Sequence, residues 1–523
     1  MIEVDVHQQL HAFLRAQGEV RWPHHLTIAR LVARALRLQR SALIQVSAAA
    51  KYQGQYRLSY LVPLMLCEQP VILVAPEVVQ QRLLQTEIPQ LSEWMHLQKP
   101  IHAADHWPSA NFSGLLLLSP QVWLQDYLQQ HHRFPSGIPT LIDGADELET
   151  WVCQQLQISL SPQDWERLMW SYPHQTHIIR DAKVKLTRAI FQHTVNPYAC
   201  SLMGPPEHQI LTNLRQALSA DDHSLSPVVW QQFWQWSPLE TCLSWAEVKR
   251  QQGSFTLHCA PLELRERLQP LWSRQAVVLM GGSLDPDPQA VIYRQQVGLG
   301  DLTCVQFSAE RQTEAIQLYI PDGLPLPNTP EFQTALMQEI HQLMAVTLPQ
   351  HPSIVVIIDD FLPLKTQVAA RLAAEFGSRV KVETSDLNPN SILVTGWTFW
   401  QQTQQLMPPP QLLVIATLPI PSLEDPRVAG QVAYYKRRRQ DWFRCYLLPT
   451  ALRTLQGAIA PIREQRGTVV LLDNRILHRS YGPQVLAALS PYARLNHIDD
   501  SLWGTGNDEF LNLSNRTHDE YDL

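Results

Sequence analysis

Short apolar runs recur along the chain, and each of them ends at a polar or small residue. Runs of this length without polar alternation are typical of strands that a parallel sheet buries on both faces. Helical patterns such as 27–39 and 365–377 separate the runs. Strand–helix alternation in two blocks predicts an α/β fold with two doubly wound parallel-sheet lobes. The predicted strands are 42–47, 71–77, 114–120, 139–146 and 276–283 in the first block, and 353–360, 380–386, 391–397, 412–419 and 468–475 in the second.

The stretch 150–262 interrupts this alternation. It carries seven of the 16 tryptophans, and its patterns are mainly helical, so we expect a helical insertion that emerges from the first lobe. Its segment VVWQQFWQW (228–236) fits either a platform on which bases stack or an aromatic helical core or contact onto the lobe. The predicted domains are a first lobe (1–149 and 263–290), the insertion (150–262), a second lobe (291–498) and an acidic, poorly ordered tail (499–523).

Composition narrows the function classes only slightly. The net charge of −7 gives the chain no global basic field for nucleic acid, although a basic groove can exist on an acidic protein. The seven cysteines are scattered without a CxxC pair, which argues against a disulfide framework or a zinc site and predicts no metal ligands. No signal peptide opens the chain, and no apolar stretch is continuous enough for a membrane span. We therefore expect a soluble cytoplasmic protein.

An ordered series of motifs fills the last third of the chain: SILVTGWTFW (391–400), LPIPSLEDP (418–426) and LPTALRTLQGAIAPIREQRGTVVLLDNRILHRSYG (448–482). In order and spacing this series resembles the DinG/XPD-type superfamily 2 DNA helicases, and the resemblance extends more weakly over nearly the whole chain. It implies two RecA-like lobes and a function on nucleic acid. The matching positions are Phe399, Trp400, Leu418, Pro419, Pro421, Asp425, Pro426, Pro449, Ala451, Gln456, Arg463, Arg466, Gly467, Asp473, Arg475, Tyr481 and Gly482.

Fainter matches occur in the first third. The segment RWPHHLTIARLVARAL (21–36) is similar to the family's opening motif, with His24 where an adenine-reading glutamine is expected. LSYLVP (58–63) is similar to the segment that follows the phosphate loop. VILVAPEVVQQRLL (71–84) is similar to the motif that touches the DNA backbone, which makes Pro76 and Gln80 candidates for nucleic-acid contact.

The phosphate loop itself is altered. The register set by LSYLVP places KYQGQYR (51–57) where the family has GxGxGK[ST], and Gly54 is its one glycine. Glycines are needed there because the loop must adopt unusual backbone angles and present N–H groups to phosphate oxygens. Tyr56 replaces the lysine that neutralises the phosphates, and Arg57 replaces the hydroxyl that ligates Mg²⁺. Lys51 and Arg57 supply charge but no obvious loop geometry, and the segment also fits a solvated loop without a nucleotide role.

Further charged groups of phosphoryl transfer are missing. In LIDGADELE (141–149), Asp143 stands where an acidic residue would hold Mg²⁺, but Gly144 replaces the water-activating glutamate. Asp146 and Glu147 follow, and these acids also fit the first turn of a helix. In QGAIAPIR (456–463) Ala460 replaces one of the family's arginines, whereas Gln456 and Arg463 remain. The sequence between Tyr56 and Asp143 holds only Cys67, so we expect no iron–sulphur cluster.

Three functions remain open at this point. The favoured one is a non-hydrolysing helicase relative that binds single-stranded or forked DNA, or a protein partner, between its lobes. The second is an active ATP-dependent DNA helicase in which Lys51, Asp143, Glu147 and Arg463 serve with ATP and Mg²⁺. The third is a protein-interaction scaffold that uses the tryptophan-rich insertion. Beyond Pro76 and Gln80, the nucleic-acid candidates are Phe399, Trp400 and the basic run Lys436, Arg437, Arg438 and Arg439, which also fits a solvated helix face.

Overall fold

The computed structural model describes residues 2–17, 22–96, 99–218, 226–237, 240–309, 314–347, 353–360, 362–388 and 390–497. The chain forms two compact units. Unit 1 takes its described residues from 1–309 and 420–457, and unit 2 takes its described residues from 310–419 and 458–497. The predicted tail, 499–523, lies outside the described residues.

The helices alternate with the strands along most of the chain, as the apolar pattern predicts. The helices are α1 (Ile2–Ala16), α2 (His25–Leu38), α3 (Ala48–Gln53), α4 (Arg57–Leu66), α5 (Glu77–Arg82), α6 (Ile88–Met95), α7 (Pro120–Gln129), α8 (Leu148–Leu156), α9 (Pro162–Ser171), α10 (Thr176–Gln192), α11 (Pro205–Leu218), α12 (Val228–Trp236), α13 (Arg265–Arg274), α14 (Val291–Val297), α15 (Phe332–Thr347), α16 (Leu362–Phe376), α17 (Trp397–Thr403), α18 (Pro426–Arg437), α19 (Leu448–Glu464), α20 (Arg475–His478) and α21 (Gly482–Leu489).

The strands include all ten that the apolar runs predict. They are β1 (Ala42–Val46), β2 (Val71–Val74), β3 (Ile101–Ala103), β4 (Leu115–Leu118), β5 (Thr140–Asp143), β6 (Ile158–Leu160), β7 (Cys200–Leu202), β8 (Cys242–Lys249), β9 (Ser254–Pro261), β10 (Val277–Gly282), β11 (Thr303–Gln306), β12 (Ile316–Tyr319), β13 (Ile354–Ile358), β14 (Val380–Val382), β15 (Ile392–Gly396), β16 (Leu412–Ile415), β17 (Thr468–Leu471) and β18 (Tyr492–Leu495).

Within the described residues, the main sheet of unit 1 has seven strands in the order β11-β1-β10-β5-β2-β4-β3. All of its neighbours pair in parallel. Successive strand residues point to opposite faces, and both faces are covered. Ile44 and Leu73 belong to the core beneath α1, α2 and α4, whereas Leu43 and Ile72 belong to the core on the other face. The doubly wound arrangement predicted for the first lobe is confirmed.

The described part of unit 2 also contains a seven-stranded sheet, in the order β14-β15-β13-β16-β17-β12-β18. Its neighbours are again parallel. The central strands β13, β15, β16 and β17 are buried along their whole length, which explains their uninterrupted apolar sequences. The second predicted α/β lobe is therefore confirmed.

The segment 150–262 contains helices, but its described residues also form a four-stranded antiparallel sheet in the order β6-β9-β8-β7. The aromatic segment 228–236 is α12, and it lies in the insertion's own core. Trp230 and Phe233 are fully buried, and the Trp230 indole donates a 2.9 Å hydrogen bond to the Asp164 carbonyl. Of the two interpretations of this segment, the structure favours the aromatic helical core.

Two segments placed in the second lobe on sequence pattern pack within unit 1. Residues 291–309 do so because β11 pairs with β1 at the edge of the first sheet. Residues 420–457 include α18, which packs on the insertion's sheet. Gly430 on α18 comes so close that an added Cβ would lie 2.3 Å from Leu243 Cδ1. A side chain at this position would therefore force the helix away from the sheet.

A buried histidine gives unit 1 a defined pH dependence. His25 is 4% exposed, its Nδ1 lies 2.9 Å from Ser59 Oγ, and burial, aided by His24, lowers its pKa to about 4. The unfolded chain has a histidine pKa of about 6.5, so between about pH 4 and 6.5 the unfolded state binds the extra proton. The free energy of unfolding should therefore fall by up to about 3 kcal/mol as pH drops through this window.

Urea denaturation across that range measures this effect, with His25→Gln as the comparison. Glutamine cannot take up a proton, so between about pH 6.5 and 4 the free energy of unfolding should fall less for the variant than for the unchanged protein. Parallel pH profiles for the two proteins would contradict the assignment.

Candidate nucleotide site and nucleic-acid contacts

The carboxyl ends of β1, β10 and β5 are neighbours in the first sheet. In doubly wound sheets ligands bind at this edge, outside the carboxyl ends of the strands. The segment after β1 carries the predicted phosphate-loop position, β5 ends at Asp143, and the segment after β5 carries Asp146 and Glu147. The fold therefore brings the two altered motifs together, although about 90 residues separate them in sequence.

The phosphate-loop position is helical rather than an open loop. Ser47 caps α3 by accepting a 3.1 Å hydrogen bond from the Ala50 amide. Gly54 ends α3 with φ +72°, and α4 begins at Arg57. The Lys51, Gly54 and Arg57 amides donate to main-chain carbonyls at 3.0 to 3.2 Å. These N–H groups are therefore engaged within the chain instead of facing a phosphate.

Two tyrosines hold the carboxylate at the end of β5. Asp143 is 2% exposed, and both Tyr56 and Tyr60 donate hydrogen bonds to it, Tyr60 at 2.7 Å. Burial, and after it the Asp143 charge, raises the pKa of both tyrosines well above the ordinary value, so their hydroxyls stay protonated as donors. Both carboxylate oxygens thus have internal partners where Mg²⁺ would need them.

Arg57 completes this buried network. The guanidinium, only 10% exposed, lies 3.8 Å from Asp143 and 3.7 Å from Glu87. It also sets the requirement for glycine at position 54, where an added Cβ would lie 2.6 Å from Arg57 Nη1. The residues that replace the family's lysine and hydroxyl therefore fill the position with an internal charge cluster.

Lys51 is neutralised by the acids that follow β5. Its ammonium forms ion pairs with Asp146 and with Glu147, the latter at 3.0 Å. Desolvation lowers the Lys51 pKa, but the two carboxylates outweigh it and leave the pKa raised. Asp146 also accepts from the Gly282 amide at 3.3 Å. The one lysine of the altered loop is thus committed to internal carboxylates.

Position 144, where the family resemblance predicts a water-activating glutamate, has no room for a side chain. Gly144 adopts φ +115°, a backbone conformation that L side chains rarely reach. An added Cβ there would lie 2.6 Å from Trp151 Cη2. Glu147, the nearest acid along the chain, instead pairs with Lys51.

The remaining candidates for nucleotide contact lie in unit 1. The His24 ring packs against Trp22 at 5.2 Å and Phe307 at 5.1 Å between ring centroids. Gln456 is half-buried on α19. Three residues before it, Arg453 donates a 2.9 Å hydrogen bond to Glu149 on α8. The sequence pattern did not indicate this ion pair, because its partners are 304 residues apart.

Arg463, the surviving arginine of QGAIAPIR, is buried in unit 2 at 4% exposure. Burial lowers its pKa to about 10, so the side chain remains a cation at neutral pH. Its guanidinium donates to four main-chain carbonyls, those of Glu314 (2.6 Å), Leu489 (2.6 Å), Ser490 (3.1 Å) and Pro491 (3.1 Å). These four hydrogen bonds fix the side chain within unit 2, so the geometry supports a structural role.

Other retained motif residues also stabilise unit 2. Asp473 is fully buried, accepts from the Leu418 amide at 2.8 Å and holds Arg475. Trp400 is 1% exposed and donates to the Ala458 carbonyl at 3.1 Å. These contacts join the segments that follow separate strands. Asp473, Arg475 and Trp400 thus each have a structural partner within unit 2.

The proposed nucleic-acid contacts differ in accessibility. Trp400 is buried, which does not support stacking of its ring on a base. The neighbouring Phe399 is half-buried. Pro76 is half-buried, whereas Gln80 is 8% exposed and donates to the Ala75 carbonyl at 2.7 Å. Both positions remain predictions for backbone contact.

The basic run at the end of α18 is exposed at all four positions, Lys436, Arg437, Arg438 and Arg439. Lys436 lies 5.1 Å from the centroid of the Trp442 ring, and Arg438 forms an ion pair with Glu263. The run is therefore accessible to phosphates, with one of its arginines already paired. Its role in nucleic-acid binding stays a prediction.

The described residues contain no cluster of three or more histidine, cysteine or acidic side chains arranged to hold a metal ion. In the same part of the chain, no helix combines the length and apolar character needed to cross a membrane.

Parts of the chain are similar in sequence to known helicases. Residues 408–492 match the helicase C-terminal domain family. A 112-residue segment is 35% identical to the ATP-dependent DNA helicase YoaA of Escherichia coli (strain K12), covering 21% of this chain and 18% of that protein. A 257-residue segment is 23% identical to YoaA of Haemophilus influenzae, covering 47% and 40% respectively. The chain thus matches less than half the length of either relative.

Solved structures agree in fold. An XPD helicase chain superposes with a TM-score of 0.57 at 13% identity, covering 91% of this chain and 100% of that one. Xpd4 of S. tokodaii gives a TM-score of 0.56 at 11% identity, with the same coverage. The motif series, the matched C-terminal domain and the two parallel-sheet lobes lead to one assignment. The chain carries a match to the helicase C-terminal domain and has the fold of XPD helicase structures, and in these respects it is similar to the DinG/XPD-type superfamily 2 helicases.

Proposed function

We propose that this protein binds single-stranded or forked DNA as a helicase relative whose ATP hydrolysis is weak or lost. The observation that carries the proposal is the occupied phosphate-loop position. There Tyr56, Tyr60 and Arg57 surround Asp143, and Asp146 and Glu147 neutralise Lys51. A triphosphate with Mg²⁺ needs that cation and that carboxylate for itself.

The three replaced groups together should remove most of the lowering of the activation barrier for ATP hydrolysis. Removing a single group that stabilises transition-state charge costs about 3–4 kcal/mol of barrier lowering. Here the phosphate-loop lysine, the water-activating glutamate and one arginine are all replaced, by Tyr56, Gly144 and Ala460. Each 1.36 kcal/mol is tenfold in rate, so hydrolysis should remain near background.

DNA is the expected ligand because the curated relatives are named as DNA helicases. The exposed run Lys436, Arg437 and Arg439 supplies cations for backbone phosphates. Binding carried by phosphate contacts should weaken as salt rises and should not require ATP.

Two assays on the purified full-length chain test the proposal. Fluorescence anisotropy with a labelled single strand or fork should show salt-sensitive binding that Mg-ATP leaves unchanged. Phosphate release should stay at background with and without DNA, and Lys51→Ala should alter neither result. DNA-stimulated phosphate release that Lys51→Ala abolishes would instead establish an active helicase.

A second function is favoured by one observation. Trp170, on the insertion's helix α9, is 77% exposed. Exposed tryptophans are frequent anchors of protein interfaces. We propose that the insertion also docks a protein partner through this indole. Pull-down from the source cell with Trp170→Ala as the matched bait should lose a partner that the unchanged protein retains. Identical partners for both baits would contradict this role.

A further inference from the structure

An arginine-lined groove runs along the surface of unit 1 beside α2. Its larger part, about 490 Å³, lies between α1 and α2. A smaller part, about 160 Å³, continues over Leu31 and Arg34 to the edge strand β11. The arginine groove comprises both parts, and its cationic residues are Arg30, Arg34, Arg37 and Arg40.

The helix periodicity creates this arrangement. Ile28, Val32 and Leu36 bury one face of α2 in the core. Arg30, Arg34 and Arg37 therefore share the opposite, exposed face. At a rise of 1.5 Å per residue, Arg30 and Arg34 stand about 6 Å apart along the helix axis.

The groove is strongly unbalanced in charge. Glu3 is the one acid among its lining residues, and it pairs with Arg37 at 2.7 Å. Within the described part of the chain, Arg30, Arg34 and Arg40 form no ion pair. Four cations against one anion, in a concave surface, favour a ligand that carries several negative charges in a row.

Guanidinium groups suit phosphate oxygens in particular, because their planar donors form bidentate contacts with phosphate. We propose that the arginine groove binds the phosphodiester backbone of a single nucleic-acid strand. The groove would be a second contact surface, distinct from the basic run at the end of α18. This inference rests on the proposed function, which requires that the protein bind nucleic acid at all.

Salt-dependent binding of a labelled oligothymidylate measures the contribution of the groove. A plot of log binding constant against log salt concentration has a negative slope. On single strands, each lost phosphate contact reduces the magnitude of that slope by about 0.7. Arg30→Gln with Arg34→Gln should therefore reduce the slope by about 1.4 between about 50 and 200 mM salt. Arg40 lies outside α2, so Arg40→Gln should reduce the magnitude of the slope by about 0.7 without altering the helix.

The matched control removes the same charge elsewhere. Arg180→Gln with Arg188→Gln changes two exposed arginines on α10, and it should leave the slope unchanged. An oligouridylate arm asks whether RNA gives the same slope changes, and polyglutamate serves as a competitor.

Three results would overturn the inference: groove variants that keep the original slope, a control that loses as much as they do, or polyglutamate that displaces the oligonucleotide equally well. The last would identify an acidic protein segment as the ligand. Strand binding that survives in the groove variants would leave the proposed function intact, whereas no binding by the unchanged protein would refute both.

Discussion

Replacing Asp143 by alanine is expected to lower the free energy of unfolding by about 3–5 kcal/mol. The substitution leaves the buried Arg57 guanidinium with Glu87 alone, at 3.7 Å, and it removes the acceptor of the Tyr56 and Tyr60 hydroxyls. Breaking a buried charge pair by removing one partner is costly because the other charge stays buried. Urea denaturation followed through the unit 1 transition measures the change as a lower midpoint at constant slope.

The control is Asp181→Ala, which removes an exposed carboxylate from the same unit and should change stability by no more than about 0.5 kcal/mol. Tyr60→Phe should give an intermediate loss of about 1.5–3 kcal/mol, since it deletes one hydrogen bond to a charged group. A stable Asp143→Ala protein that had lost ATP hydrolysis would mean that Asp143 serves a metal rather than the fold.

Replacing Arg463 by alanine should destabilise unit 2 by a similar amount, about 3–5 kcal/mol. Its guanidinium donates to the carbonyls of four residues in two separate parts of the chain, position 314 and positions 489–491. Alanine leaves the buried carbonyls of Glu314 and Leu489 without this donor. Arg463→Lys should recover part of the loss, because an ammonium lacks the planar fork that reaches several carbonyls at once.

Arg371→Ala is the matched control, since Arg371 is an exposed arginine on α16 of the same unit. Its midpoint should stay within the scatter of the unchanged protein. An Arg463→Ala variant as stable as this control would show that the four hydrogen bonds contribute little, and the structural role of Arg463 would have to be abandoned.

Apolar patterning predicted the interior of both lobes but not their margins. The central strands are buried on both faces, so their sequences contain uninterrupted apolar runs. The strands that the pattern missed are less buried: β3 and β11 at the edges of the first sheet, and β12 and β18 in the second. Partly exposed strands carry polar residues, and a four-residue segment of that kind resembles a loop.

The antiparallel sheet of the insertion was missed for a related reason. Strands β8 and β9 alternate buried with less buried residues over only part of their length. They contain Trp245 and Phe255 within a region rich in helical patterns. Pairing between strands is a tertiary property, so aromatic content alone did not separate strand from helix.

For the candidate site, the sequence predicts which catalytic groups are missing, but it does not predict the contacts of the residues in their places. Motif spacing predicts that Tyr56 stands in place of the phosphate-loop lysine and Gly144 in place of the glutamate. The contacts of Tyr60 and Lys51 with the acids after β5 are not, because they join residues 83 to 96 positions apart. Tyr60 lies in an apolar segment that predicts a core residue, and only the fold directs its hydroxyl to Asp143.

The proposed function depends on a nucleotide site that the protein closes with its own side chains. Thermal unfolding of the full chain with and without saturating Mg-ATP tests this directly, because a ligand at 100 times its Kd would stabilise the folded state by about 2.7 kcal/mol. We predict an unchanged melting temperature for the original protein and for Lys51→Ala. A saturable, magnesium-dependent rise that Lys51→Ala removes would contradict the account.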